Sequence, residues 1–182
     1  LLADAAQRED YTALLAAKKG GRELGQLVDD LVLAWATVGD GRMSDALALF
    51  DKMTKVQGLE EFGHYHKALA LASVGDFEAA DAILSGAESG PLTMTRRGVI
   101  AHAQVLSQLE RAPDALELLQ KAFGEDTDPM IAVLRRELQA GKPVPFDVVT
   151  TAAEGAAEVF FTVAGALVQE NQDVFTLAYA RL

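Results

Sequence analysis

The residues best placed to do chemistry lie in "GHYHKALALASVGDFEAADAIL", residues 63–84, where two of the three histidines stand two positions apart. A His-x-His pair can hold zinc when both rings face one way. On a helix, however, two residues are roughly 200° of rotation, so His64 and His66 point to opposite sides. Helical zinc pairs use i, i+4 spacing instead. No shared metal is expected here. His102 stands alone on a helix, and a partly exposed structural role is expected for it. "KKGGRE", residues 18–23, lacks the spacing of a phosphate loop, and Lys before Gly reads as a helix end. "EDTDP", residues 125–129, offers Asp126 and Asp128 but neither the glycine nor the closing glutamate of a calcium loop; it reads as a helix cap. Cysteine is absent, which removes thiol catalysis, disulfides and cysteine metal sites together. The remaining carboxylates are dispersed over helix surfaces. No nucleophile, base and orienting group converge, so no catalytic residue and no cofactor are assigned.

The net charge of −11 argues against nucleic acid and against an anionic membrane surface, since both need clustered Lys and Arg. Half the residues are apolar but only 7% are aromatic, so the core must be built from Ala, Leu and Val. No window approaches the ~18 apolar residues of a spanning helix. The most apolar stretch, residues 159–168, reads as a buried helix. The chain opens on Leu1 with no signal peptide and is read as a fragment or processed form of a longer chain.

The elements around the histidines repeat. "LAWATVGD" (33–40) and "LALASVGD" (69–76) match at a shift of 36, and "DALALF" (45–50) and "DALELL" (114–119) at a shift of 69. Taking Ala80 as the middle member makes Ala46, Ala80 and Ala115 equivalent, as are Phe50, Leu84 and Leu119. The longer first shift implies two extra residues in the turn Gly39-Asp40-Gly41-Arg42. A constant shift of 36 would set Asp51 beside Ala87 and Ala122, and is rejected. Each unit reads as two helices. In the middle one Gly75 closes the first helix and Asp76 caps the second, which presents Phe77, Ala80, Ile83 and Leu84 on one face. Ala80 is expected where two helices cross.

Helices continue on both sides. Residues 1–17 read as an apolar-rich helix ended by Lys18-Lys19-Gly20. Asp128-Pro129 opens a helix to about Ala140. "GKPVPFD", residues 141–147, is an extended break. Thr151 and Glu154 form a capping box for a helix towards Glu170. Residues 174–182, with Phe175, Tyr179 and Leu182, read as its partner.

The pattern resembles the tetratricopeptide repeat family. The middle unit supplies Ala68, Leu71, Gly75-Asp76-Phe77, Ala80, Leu84 and Ala87. The third supplies Ala103, Leu106, Ala115, Leu119 and Ala122, with Glu110-Arg111-Ala112 at the turn. The first supplies Val32, Trp35, Ala46, Phe50 and Met53. Trp35 therefore falls at a packing position, and the family's early Trp is replaced by Val28, His64 and Val99. The resemblance implies an all-α fold, an α-solenoid of antiparallel helix pairs in a right-handed superhelix. The expected organisation is one helical-repeat domain over 1–182. It comprises an N-terminal helix (1–25), three repeat units (26–58, 59–92, 93–127), an extra helix (128–141), a proline-containing linker (142–150) and a degenerate helix pair (151–182).

The same resemblance implies a protein–protein interaction scaffold or adaptor, not an enzyme, holding a peptide or helix of a partner in a concave groove. The groove positions carried over are Gln26, Asp29, Asp30 and Leu33; Phe62, Tyr65, His66 and Leu69; and Arg97, Ile100, Ala101 and Gln104. Tyr65 and Arg97 are expected to carry most of the binding energy. Further alternatives stand beside this reading: the groove positions are ordinary solvated ones, the flanking helices of the same chain fill the groove, or the chain is a helical enzyme, or its regulatory domain, with a non-obvious site. The partner is an unidentified protein or peptide, with no nucleic acid and no membrane insertion. Self-association through the C-terminal helix pair is a further expectation. Alanine-rich arrays of this kind resemble bacterial envelope-associated proteins, which favours periplasm or envelope over cytoplasm.

Overall fold

The computed structural model describes residues 25–87, 90, 92–125 and 128–169. Among them are eight helices and no strand: α1 (Gln26–Gly39), α2 (Met43–Met53), α3 (Glu60–Ser73), α4 (Phe77–Leu84), α5 (Arg96–Gln108), α6 (Ala112–Phe123), α7 (Pro129–Gln139) and α8 (Ala152–Gln169). The described residues are thus all-α, consistent with the expected fold class. The helix expected over 1–17, the "KKGGRE" stretch, Asp126 and the helix expected over 174–182 lie outside the described residues.

Contacts divide the chain into two compact units, one of Leu1–Ala70 with Thr151–Leu182, the other of Leu71–Thr150. Each is built round one helix with almost no solvent face. In the first unit that helix is α1, which buries Val28, Leu31, Val32, Ala34, Trp35, Ala36 and Thr37 and packs against α2 and α8. In the second it is α5, buried from Gly98 to Ser107 and packed against α4 and α6. A helix that is apolar or small on every side belongs in the middle of a layer. Small residues let the neighbours close in: Ala46, Ala80 and Ala115 are each 0% exposed.

The turns inside the helix pairs correct the register. Gly41 (φ 77°), Gly75 (φ 85°) and Glu110 (φ 59°) hold the left-handed position. In each turn the next N–H returns to a carbonyl five residues earlier: Arg42 to Thr37, Asp76 to Leu71 and Arg111 to Leu106. These turns are equivalent and stand 34 and then 35 residues apart. The first turn therefore has no extra residues. "VGDG" offers two glycines; Gly39 ends α1 as an ordinary helical residue, and Gly41 takes the left-handed corner. Trp35 is accordingly equivalent to Leu69 and Gln104, not to Leu71 and Leu106. Glu110 holds with a side chain a conformation that glycine adopts at no steric cost.

The helix ends follow their caps. Asp76 accepts from the Ala79 N–H at 3.2 Å, and Thr95 from Gly98 at 3.1 Å. Asp128 accepts from Met130 at 2.8 Å, ahead of Pro129. Thr151 and Glu154 exchange the reciprocal pair of a capping box, both at 3.2 Å.

The packing of α8 on α1 depends on one missing methyl. A Cβ at Gly155 would fall inside contact distance of the Trp35 ring, whereas one at Gly165 would meet nothing within 4 Å. Gly155→Ala should therefore destabilise the protein by roughly 1–3 kcal/mol through overpacking. Gly165→Ala should be neutral or stabilising by up to about 1 kcal/mol through helix propensity. Denaturant unfolding checks the pair; equal midpoints for both variants would place α8 away from Trp35.

Candidate functional site

In the first unit one face of α3 meets α8 through a chain of hydrogen bonds. Trp35 Nε1–H donates to His66 Nδ1 at 3.1 Å. The Trp35 indole has no lone pair to offer, so His66 Nδ1 must be the bare nitrogen and Nε2 must carry the proton. That proton points to Thr162 Oγ1, 3.2 Å away. The Thr162 hydroxyl in turn donates within its own helix, to the carbonyl of Glu158 (2.9 Å) or Val159 (3.1 Å). Next to this chain, Tyr65 Oη donates to Glu158 Oε1 at 2.9 Å, and Glu158 is 2% exposed. The Trp35 ring also meets Phe50 and His66 edge-on, at 5.8 and 6.2 Å. His66 is fully enclosed, and desolvation lowers its pKa from 6.5 to about 3. It stays neutral, and both of its ring nitrogens are already engaged.

In the second unit one face of α5 holds the extended segment that follows α7. Ser107 Oγ accepts from the Val144 N–H at 2.8 Å, and Gln108 Nε2 donates to the Val144 carbonyl at 2.6 Å. Gln104 clasps Asp147 twice. Its Nε2 donates to Asp147 Oδ1 at 2.5 Å, and its Oε1 accepts from the Asp147 N–H at 3.1 Å. Arg97 Nη2 donates to the Val148 carbonyl at 3.3 Å. Val144, Phe146 and Val148 are half-buried while Pro143, Pro145 and Asp147 are exposed, the alternation of an extended chain with one apolar side. Val144 and Val148 pack on the core formed by α5, α6 and α7. Phe146 meets Phe77 with ring centroids 6.4 Å apart.

The groove residues expected from the sequence thus sort by what covers them. Gln26 is exposed; Asp29, Asp30, Leu33 and Phe62 are half-buried. Tyr65 and His66 face α8 of their own chain, and Leu69 is buried. Arg97 and Gln104 face the chain's own 144–148 segment, while Ile100 and Ala101 are core. With the corrected register, the groove positions that the resemblance implies become Leu31, Val32 and Trp35; Tyr65, His66 and Leu69; and Ile100, Ala101 and Gln104. All but Tyr65 are buried. Ser107, Gln108, Glu158 and Thr162 were not singled out in sequence. Ser107 and Gln108 share the face of Gln104 at i+3 and i+4, and that spacing was the available signal.

His102 is 6% exposed rather than partly exposed. Its Nε2 lies 2.7 Å from Asp81 Oδ1, and Arg111 Nη1 lies 2.6 Å from Asp81 Oδ2. Burial lowers the His102 pKa against the opposing pull of Asp81. An Asp–His pair acts as a base when its second nitrogen reaches a substrate. Here Nδ1 is shut off from solvent and has no hydrogen-bond partner, so the pair joins α4 to α5 and presents nothing. Among the described residues no helix is long and apolar enough to cross a membrane. No family model, curated protein or solved structure matches this chain.

The enclosed imidazole gives a pH signature. The unfolded chain binds a proton at histidine near pH 6.5, whereas the folded one does so only near pH 3. The unfolded state therefore binds more protons between these values, and stability rises with pH across that window. His66→Gln keeps an acceptor and a donor but does not titrate, while His64 and His102 are common to both proteins. The stability difference between wild type and His66→Gln should be constant above about pH 7. Below about pH 6.5 it should move against the wild type by at most roughly 1.4 kcal/mol per pH unit. A difference that stays flat from pH 7 to 4 in urea unfolding would mean that His66 titrates normally.

Proposed function

We propose that the chain is a protein–protein interaction module, a scaffold or adaptor built as a tetratricopeptide-like helical solenoid that holds a peptide or helix of a partner. The observation that carries this reading is the face of α5. Arg97, Gln104, Ser107 and Gln108 hold an extended segment largely by its backbone. That is how a helix grips a peptide whose side chains are only partly specified. The fully buried alanines at equivalent places in three helix pairs support the repeat architecture. An enzymatic reading would rest on the Asp81–His102 pair, whose second nitrogen is enclosed. Tyr65 is already hydrogen-bonded to Glu158, so its removal costs the fold as well as any partner. Arg97 and Gln104 are also bonded within the chain, but to the 144–148 segment itself, so they probe the face that holds it.

Affinity capture with the 182-residue chain tests the reading. A specific protein should be retained by wild type and by Met130→Ser/Val133→Ser, which alters exposed residues of α7. Arg97→Ala/Gln104→Ala should retain it at least about tenfold more weakly. Retention by the α5 variant with loss on the α7 variant would move the binding surface to the outside of the helices.

A further inference from the structure

Residues 143–149 connect α7 to α8, yet they make more specific contacts than a connection requires. Four side chains of α5, at positions 97, 104, 107 and 108, fall on one helical face and contact the segment in antiparallel order. Ser107 and Gln108 take Val144, Gln104 takes Asp147 and Arg97 takes Val148. The two scales agree. From Val144 to Val148 an extended chain advances about 13 Å, and from residues 107–108 back to Arg97 a helix advances about 16 Å. Four of the five hydrogen bonds go to main-chain groups of the segment; the fifth goes to the Asp147 carboxylate. Pro143 and Pro145 stand at exposed positions and have no N–H to leave unpaired.

Neither neighbouring helix needs this contact in order to end properly. Gly141 closes α7 in the left-handed conformation, and Thr151 with Glu154 caps α8. The contacts of the segment with α5 are therefore separate from the bonds that end either helix.

We infer that residues 143–149 are an in-cis ligand, a strap that occupies a peptide-binding face on α5 and competes there with an extended partner segment of the same chemistry. That chemistry is proline at alternate positions, apolar residues between and after them, and an acidic residue for Gln104. The inference rests on the binding-module reading and adds its regulation: the face is available in proportion to the time the strap is away.

The test titrates a fluorescent synthetic peptide, KPVPFDVVT (residues 142–150), with two forms of the full chain. One is wild type; in the other, residues 143–149 are replaced by Gly and Ser at equal length. The opened chain should bind the peptide at least about tenfold more tightly than wild type by anisotropy. Adding Gln104→Ala to the opened chain should remove at least about tenfold of that affinity. A scrambled peptide should not bind. The inference is overturned if the opened chain keeps its helical circular dichroism and cooperative unfolding but does not bind. It is also overturned if wild type binds equally well. Should replacement of the strap abolish cooperative unfolding, Phe146→Ala/Asp147→Ala, which loosens the strap but keeps its backbone, carries the same comparison. A natural partner captured equally by wild type and opened chain would remove the strap's role and leave the binding-module reading intact.

Discussion

One buried donor organises the first unit: the indole N–H of Trp35. The helix that carries it has almost no solvent face, so the donor must be satisfied inside the protein or cost the fold its desolvation. His66 accepts it, and that choice fixes the tautomer, leaves one proton on Nε2 and aims it at Thr162. Thr162 then donates its own proton to a carbonyl of α8, that of Glu158 or Val159. These bonds constrain α8's position along α1 and α3 as well as its presence. The Trp35 ring makes the same demand in shape, since only a glycine at position 155 lets α8 lie against it.

The second unit meets the same constraint with different material. Gln104 occupies the repeat position of Trp35 and is only 5% exposed. A carboxamide there has two polar ends to satisfy, and a helix laid across it would present its side chains, with its backbone donors already used. An extended strand still has free backbone groups, and the Asp147 N–H and carboxylate take both ends of Gln104. One repeat position thus draws a helix in one unit and a strap in the other. The residue standing there, an indole with one donor or an amide with a donor and an acceptor, accounts for the difference.

The local rules were legible in the residues. The caps at Asp76, Asp128 and Thr151 and Gly75 at a corner follow from short-range chemistry, and each is found where that chemistry puts it; alanine at 46, 80 and 115, aligned by the repeat, is fully buried. The register of the first helix pair was misread because "VGDG" contains two glycines. Sequence identity favoured the wrong one, and backbone geometry at Gly41 decides. The burial of His66 was hidden because its partners stand 31 and 96 residues away. No periodicity links a tryptophan in α1 to a glycine and a threonine in α8. Residues 142–150 read as a linker because two prolines exclude helix. The same prolines make the chain extended, and extension is what α5 uses.

The two coverings differ in how firmly they are held. α8 contributes buried Val159, Phe160 and Val163 as well as its polar network, and a fully buried large apolar side chain is worth about 1.5–3 kcal/mol. The strap contributes three half-buried side chains, buried Val149 and five hydrogen bonds, each worth a net 0.5–1.5 kcal/mol or about that. Its advantage over a free peptide is tethering. A short flexible connection gives an effective concentration of order millimolar, so a peptide with micromolar intrinsic affinity would see its apparent affinity fall by up to roughly a thousandfold. That suppression is strong but finite. On the proposed reading, a partner would overcome it by making contacts the strap lacks or by engaging a second surface at the same time, and a face guarded in this way would reject weak, strap-like segments while admitting a partner that brings more.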